Sequence, residues 1–345
     1  MGARNLNIGG QAVIEGVMMR SPGSFAVAVR RKSGEIVLRE GAWRSLTERL
    51  TFLRRPFLRG GVVLAESLHN GLSALSFSAS EAAKDEPSDE RDGQAPQEMS
   101  KTAITLTMLF ALGLALLFFL VLPHYLTLLL GKLTGLESLQ DGQSAAFHAV
   151  DGTIKLIFFV LYVWAISHIP DIKRVFQYHG AEHKAIKAYE QGDPLTVESA
   201  RKYSTLHPRC GTSFLLIVIM MAMLVFLAVF PWLPKISETG WIHQLALIAI
   251  KIPLMFPIAG LAYELQRLSA RRAAHNPLVR ALILPGILLQ RITTAPPTDD
   301  QIEIALVAVR KVLDRESTGG LSDSVPPRVE RFASYDEFIG GLGRI

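Results

Sequence analysis

The sequence predicts a mainly α, polytopic membrane protein with about four transmembrane helices. A small N-terminal α+β part precedes the spans and a C-terminal amphipathic helix follows them. Three observations carry this reading. Hydrophobic residues are 49% of the chain and charged residues only 19%, with a mean hydropathy of +0.28. The apolar residues are gathered in blocks long enough to cross a bilayer, which takes about 20 residues of helix. The basic residues flank those blocks, so the net charge of +5 is read as membrane flanks and no nucleic-acid partner is expected.

In chain order, residues 1–83 read as an N-terminal α+β region. Gly9-Gly-Gln-Ala-Val-Ile-Glu-Gly-Val-Met-Met-Arg20 carries three glycines and predicts a tightly folded backbone. Phe25–Arg30 and Glu35–Arg39 alternate β-branched residues around a Gly-containing connection, the pattern of a hairpin. From Ser45 to Ala83 the apolar spacing turns helical, and Arg54–Arg59 with its apolar neighbours suits a helix at an anionic membrane surface. Residues 84–100 are acidic, proline-bearing and nearly without large apolar side chains, the composition of a disordered linker.

The transmembrane domain is read over 101–292. Thr102–Gly131 contains no Asp, Glu, Lys or Arg, and Pro123 is expected to kink or end it. Asp151–Ile169, the uncharged Gly211–Pro234, and Trp241–Leu265 supply three more spans, the last interrupted by Lys251, Pro253 and Pro257. Leu278–Leu289 is too short to cross and Pro285-Gly286 should break it, which leaves an interfacial or re-entrant segment. In the C-terminal part, 293–345, Asp299–Arg315 reads as an amphipathic helix, and the Gly/Ser/Pro-rich tail from Glu316 as loose.

Orientation follows from counting Lys and Arg in the short connections. Seven fall within 170–212, against Lys132 alone in 123–150 and Lys235 alone in 235–240. Residues 1–20 also lack the blocks of a secretory signal. A multi-pass protein of the cytoplasmic membrane is expected, with both termini and the 170–212 loop in the cytoplasm. The lone Cys210 excludes an intramolecular disulfide, and a reducing compartment leaves its thiol free to act as a ligand.

That loop holds the densest group of metal-ligating side chains. Ile172–Gln191 is predicted helical, and on it His179 and His183 lie at i and i+4 on one face. The order His-x-x-Glu-His is the inverted zincin arrangement, with Glu182 as the residue that would activate water. A two-histidine site needs a third ligand. His207, Cys210 and Glu264 are the candidates; three histidines would leave an open position, whereas adding the thiol would close the site. A divalent metal, zinc above all, is the expected cofactor. Lys251, near mid-span, is expected to face a partner or water: it has a functional or lipid-headgroup role, or pairs with Asp151 or Glu264, or snorkels.

Four separated stretches resemble the bacterial YqhQ-type membrane protein family: Gly9–Arg20, Tyr178–Lys184, His207–Ser213 and Ala262–Glu264. The resemblance covers most of the chain and implies a bacterial cytoplasmic-membrane protein. The family is described as uncharacterised and as a predicted metal-dependent enzyme, and supplies no reaction. Three functions remain open from the residues. One is a metal-dependent hydrolase at the cytoplasmic face. The second is a non-enzymatic factor that binds or helps assemble other membrane proteins, or itself as a homo-oligomer, with the His/Cys cluster structural. The third is a transporter or channel, suggested by Lys251, Pro253 and Pro257.

Overall fold

A computed structural model describes residues 6–55, 58–85, 101–272, 276–318 and 326–341. The acidic stretch read as a linker lies outside them from residue 86 onward. The glycine-rich start is itself a hairpin, β1 (Gly9–Val13) and β2 (Gly16–Arg20). The predicted hairpin follows as β3 (Ser24–Arg30) and β4 (Ile36–Ala42), with Gly34 at φ 91° in its turn. Next come the short α1 (Leu46–Arg49) and the long α2 (Leu58–Ala83).

The first span is one helical column. Helix α3 (Lys101–Leu116) passes through a π turn, Leu117–Val121, into α4 (Leu122–Thr134). Pro123 neither ends nor breaks it, because the wide turn preceding the proline makes room for its ring and for the missing amide. After α5 (Glu137–Gln140), α6 (Ala145–Ile166) is capped by the Ser144 hydroxyl, which accepts from the Phe147 amide at 3.0 Å. Helix α7 (Pro170–Gln191) begins on a proline and stops at Gly192, φ 75°. The short α8 (Val197–Arg201) leads to α9 (Gly211–Val229) and α10 (Gly240–Arg272). Among the described residues, four helices are long and apolar enough to cross a membrane: Leu106–Thr134, Ala145–Ile166, Gly211–Trp232 and Gly240–Leu268.

Two expectations are corrected here. Helix α11 (Pro277–Thr293) runs unbroken through Pro285, its Gly286 set against the side chain of Ser213 on α9. The C-terminal tail is not loose throughout. Beyond α12 (Asp299–Ser317), β5 (Arg328–Phe332) pairs antiparallel with β4, and α13 (Tyr335–Gly341) buries Phe338. A short charged strand escapes a periodicity search because its pairing partner lies some 290 residues away.

The sheet therefore has five antiparallel strands in the order β1-β2-β3-β4-β5. Both of its faces are covered. Val17, Met19, Ala26, Ala28, Ile36 and Leu38 pack with α7 and α12, whereas Val13, Met18, Val27 and Val29 pack with Ala74 and Phe77 of α2. Helix α12 is buried well beyond the one stripe its sequence shows. Ile302, Ile304, Ala305, Leu306, Val307, Ala308, Val309 and Val312 are all within 1% of full burial, and each large aliphatic side chain so enclosed contributes about 1.5–3 kcal/mol. Arg30 pairs with Glu303 at 2.5 Å, and Arg315 with Glu40 at 2.9 Å, joining the two ends of the chain. This membrane-external unit meets the spans where α7 continues from α6, where Cys210 at the start of α9 reaches His179 on α7, and where α2 lies against α10, with Gly60 meeting Gly260 and Gly61 meeting Phe256.

Candidate metal centre

Helix α7 carries His179 and His183 one turn apart, with ring centroids at 4.4 Å. Cys210, just before the first turn of α9, comes to meet them. The ligand atoms of His179, His183 and Cys210 all lie within 4.8 Å of one another. Of the five metal ligands read from the sequence, the structure brings these three together.

The two imidazoles are held in one tautomer each. The His179 Nδ1 donates to the Thr293 carbonyl at 2.8 Å, and the His183 Nδ1 donates to the Thr205 carbonyl. A carbonyl can only accept, so the proton sits on Nδ1 and leaves both Nε2 lone pairs free. This is how metal-ligating histidines are usually braced. Both lone pairs face the Cys210 sulfur: His179 Nε2 at 3.1 Å, with His183 also in contact. One thiol proton can serve only one of them. The other remains opposed to the sulfur unless a cation lies between, so the donor set fits a metal ion better than it fits a hydrogen-bonded trio.

His207 and Glu264 stand outside this set. The His207 Nδ1 accepts from the Arg209 amide at 3.2 Å, which places its proton on Nε2, 3.2 Å from Glu190 Oε2. Both ring nitrogens are thereby used, and burial pushes the imidazole down to about 4, so it is neutral there. Its backbone is fastened to the buried Gln290, which accepts from the His207 amide and donates to its carbonyl, both at 2.7 Å. Glu264 is turned towards α2, where it forms a two-pronged ion pair with Arg59. An arginine placed in what reads as a surface run claims it.

Glu182 is buried beside the triad. Burial holds its carboxyl above the usual carboxylate range, against the opposing pull of His179, His207 and a hydrogen bond from the Gly10 amide. Its Oε2 has no hydrogen-bond partner, an expensive state for a buried oxygen unless something approaches it. His183 is likewise held below its ordinary value by burial, with Cys210 acting in the other direction.

Sequence reasoning missed four supports. The Thr205 and Thr293 carbonyls are backbone groups, and no side-chain pattern announces them. Gln290 lies on α11, whose apolar run hides one polar residue facing inward. Gly10 had a signal, the paired glycines of β1, but the reason for them is only visible in space. A Cβ on Gly10 would lie 2.7 Å from the Met18 carbonyl oxygen and 3.0 Å from the Glu182 carboxyl carbon.

Comparison with known proteins supplies a family and no reaction. Residues 55–315 match the family described as "Protein of unknown function (DUF1385)". The chain is 34% identical over 314 residues to "Uncharacterized protein YqhQ" of Bacillus subtilis (strain 168), covering 90% of this chain and 93% of that one. No solved structure matches. The match to the family extends over α2, all four spans and α12, and so takes in every residue of the triad: the chain belongs to the YqhQ-type family.

Proposed function

We propose that the protein is a membrane-embedded, metal-dependent hydrolase whose centre faces the cytoplasm. The observation that carries the proposal is the convergence of two tautomer-locked imidazoles on one thiol beside a buried carboxylate with an unpartnered oxygen. Three protein ligands with a fourth position free is the pattern of catalytic zinc sites, whereas structural sites use four. A divalent ion held there would supply Lewis acidity and a nucleophilic water at neutral pH.

The chain's own residues account for the rest. Glu182 is the proton acceptor: its raised affinity for protons suits a base that must take one from water and pass it to a leaving group. The Gly10 backbone packs against the carboxyl group, and Oε2, which has no hydrogen-bond partner, is left for that task. Thr293 and Thr205 fix the histidine rings, and the Gln290 contacts fix the turn that delivers Cys210. The cytoplasmic placement is supported by the Lys/Arg bias of the 170–212 loop and by the packing of the N-terminal sheet and α12 on α7. The site lies where α7, α9 and α11 meet at the ends of the spans, which suits a substrate presented at the membrane surface.

The test is metal analysis of the purified protein combined with function in cells lacking it. The wild type is expected to hold about one equivalent of metal, with His179→Ala and His183→Ala losing it. Glu182→Gln should keep the metal and lose function. A metal-free wild type that still supports function ends the proposal. Full function in Glu182→Gln, with loss in His183→Ala, would make the cluster a structural staple in a non-enzymatic membrane factor.

A further inference from the structure

A second group of ionisable side chains lies inside the spans, far from the metal centre. Asp151 and Lys155 are on α6, Lys251 on α10 and His124 on α4. Lys155 and Lys251 stand ten and eleven residues inside their helices, counted from Ala145 and Gly240, or roughly 15 Å at 1.5 Å per residue. The metal centre adjoins the opposite ends of the same helices.

Both ammonium groups sit on one carboxylate oxygen: Lys155 Nζ at 2.6 Å and Lys251 Nζ at 3.0 Å from Asp151 Oδ2. Lys251 is wholly enclosed, and three rings surround its ammonium, Phe147 and Phe226 at 5.6 Å and Phe230 at 5.8 Å. Aromatic faces of this kind favour the charged ammonium. It also donates to His124 Nδ1 at 3.3 Å, whose Nε2 donates in turn to Gln244 at 2.9 Å, so His124 is neutral. The fixed charges are therefore two positive and one negative.

A net charge surrounded by hydrocarbon costs several kcal/mol unless something balances it. Three further atoms mark the place as incomplete. His148, 1% exposed, has no partner for either ring nitrogen, and Asp151 Oδ1 has none. A neutral imidazole always carries one N–H, and here that donor lies one helical turn from Asp151 with no acceptor to meet it.

We propose that these residues form an intramembrane site for one monovalent anion. Lys155 and Lys251 supply the charge, and the His148 N–H supplies a directional donor. A water accompanying the ion would serve Asp151 Oδ1. The chemistry is that of a singly charged anion, either free in solution or carried as a lipid phosphodiester.

The charge count makes a signed prediction for each variant, read as thermal unfolding of the full-length protein in detergent. Replacing gluconate by chloride at constant sodium should raise the Tm of the wild type by roughly 3–6 °C. Lys251→Met and Lys155→Met each bring the count to zero and should lose that rise. Asp151→Asn removes the internal counter-charge and should enlarge it. Phosphatidylglycerol added in place of phosphatidylcholine is the second arm; a rise there without one from chloride assigns the ion to a lipid. Chloride-35 line broadening on the wild type reads binding directly, should a variant fail to fold. Absence of any effect of chloride or phosphatidylglycerol on both the wild type and Asp151→Asn overturns the site. So does a chloride effect of equal size in the two Lys→Met variants.

Discussion

The backbone of Gly10 lies against the carboxylate of Glu182, so close that a Cβ there would stand 3.0 Å from the carboxyl carbon, and the first strand of the sheet thus reaches the helix between its two histidines. Strand β1 and helix α7 are 170 residues apart in the chain, yet one side chain on α7 depends on the absence of another on β1. Adding a Cβ there would place it 2.7 Å from the Met18 carbonyl oxygen, 2.7 Å from the Met19 sulfur and 3.0 Å from the Glu182 carboxyl carbon. Gly10→Ala should therefore cost about 1–3 kcal/mol of stability. Metal content should be unchanged and function reduced, since Glu182 moves and the ligands do not. A Gly10→Ala protein that melts with the parent would show that β1 has slack against α7.

Gly180 makes a tighter demand. A Cβ at this position would lie 2.3 Å from the Ala295 carbonyl oxygen, and the Ala295 amide already donates to the Phe176 carbonyl at 2.9 Å. Both contacts hold the segment that offers the Thr293 carbonyl to His179. Gly180→Ala should push that segment away, destabilise the protein by about 3 kcal/mol or more, and lower its metal content as His179 loses its brace. Unaltered metal content in a folded Gly180→Ala protein would detach the Thr293 contact from ligand positioning.

His207 and His183 should respond differently to the same substitution. His183→Ala removes a ligand, and the metal should fall below a tenth of an equivalent. His207→Ala removes a ring whose nitrogens are already used by Arg209 and Glu190, costing about 1–2 kcal/mol for the lost hydrogen bonds with the metal retained. Loss of metal in both would return His207 to the ligand set.

Glu264 should behave as the partner of Arg59. Both side chains are about a quarter exposed, so a double-mutant cycle should give a coupling under about 1 kcal/mol. Glu264→Gln should bind metal like the parent; a metal-depleted Glu264→Gln would contradict the pairing described here.

The large features were legible because each has a local cause. Long apolar runs, two of them without any charge, gave the four spans, and the proline-to-glycine interval gave α7. The i, i+4 spacing gave the paired histidines, and the short distance from Gly192 to Gly211 allowed Cys210 to return. What escaped depends on partners remote in sequence. Strand β5 is defined by β4, and Glu264 was read as a ligand because nothing near it names Arg59. Helix α12 shows one apolar stripe, yet lies between a sheet and α7 and is buried on further sides. Pro123 was read as a kink or an end and Pro285 as a break from their ring chemistry alone, and the helix continues through both, past a π turn at the first.

The membrane-external unit takes its first four strands from residues 9–42 and its central helix and fifth strand from residues 299–332. Between them lie all four bilayer-crossing segments. During synthesis the early strands must wait, one face uncovered, until every span has been threaded and the final sixty residues have left the ribosome. A nascent chain halted after Trp232 would hold His179, His183 and Cys210 but lack the Thr293 carbonyl that orients the His179 ring.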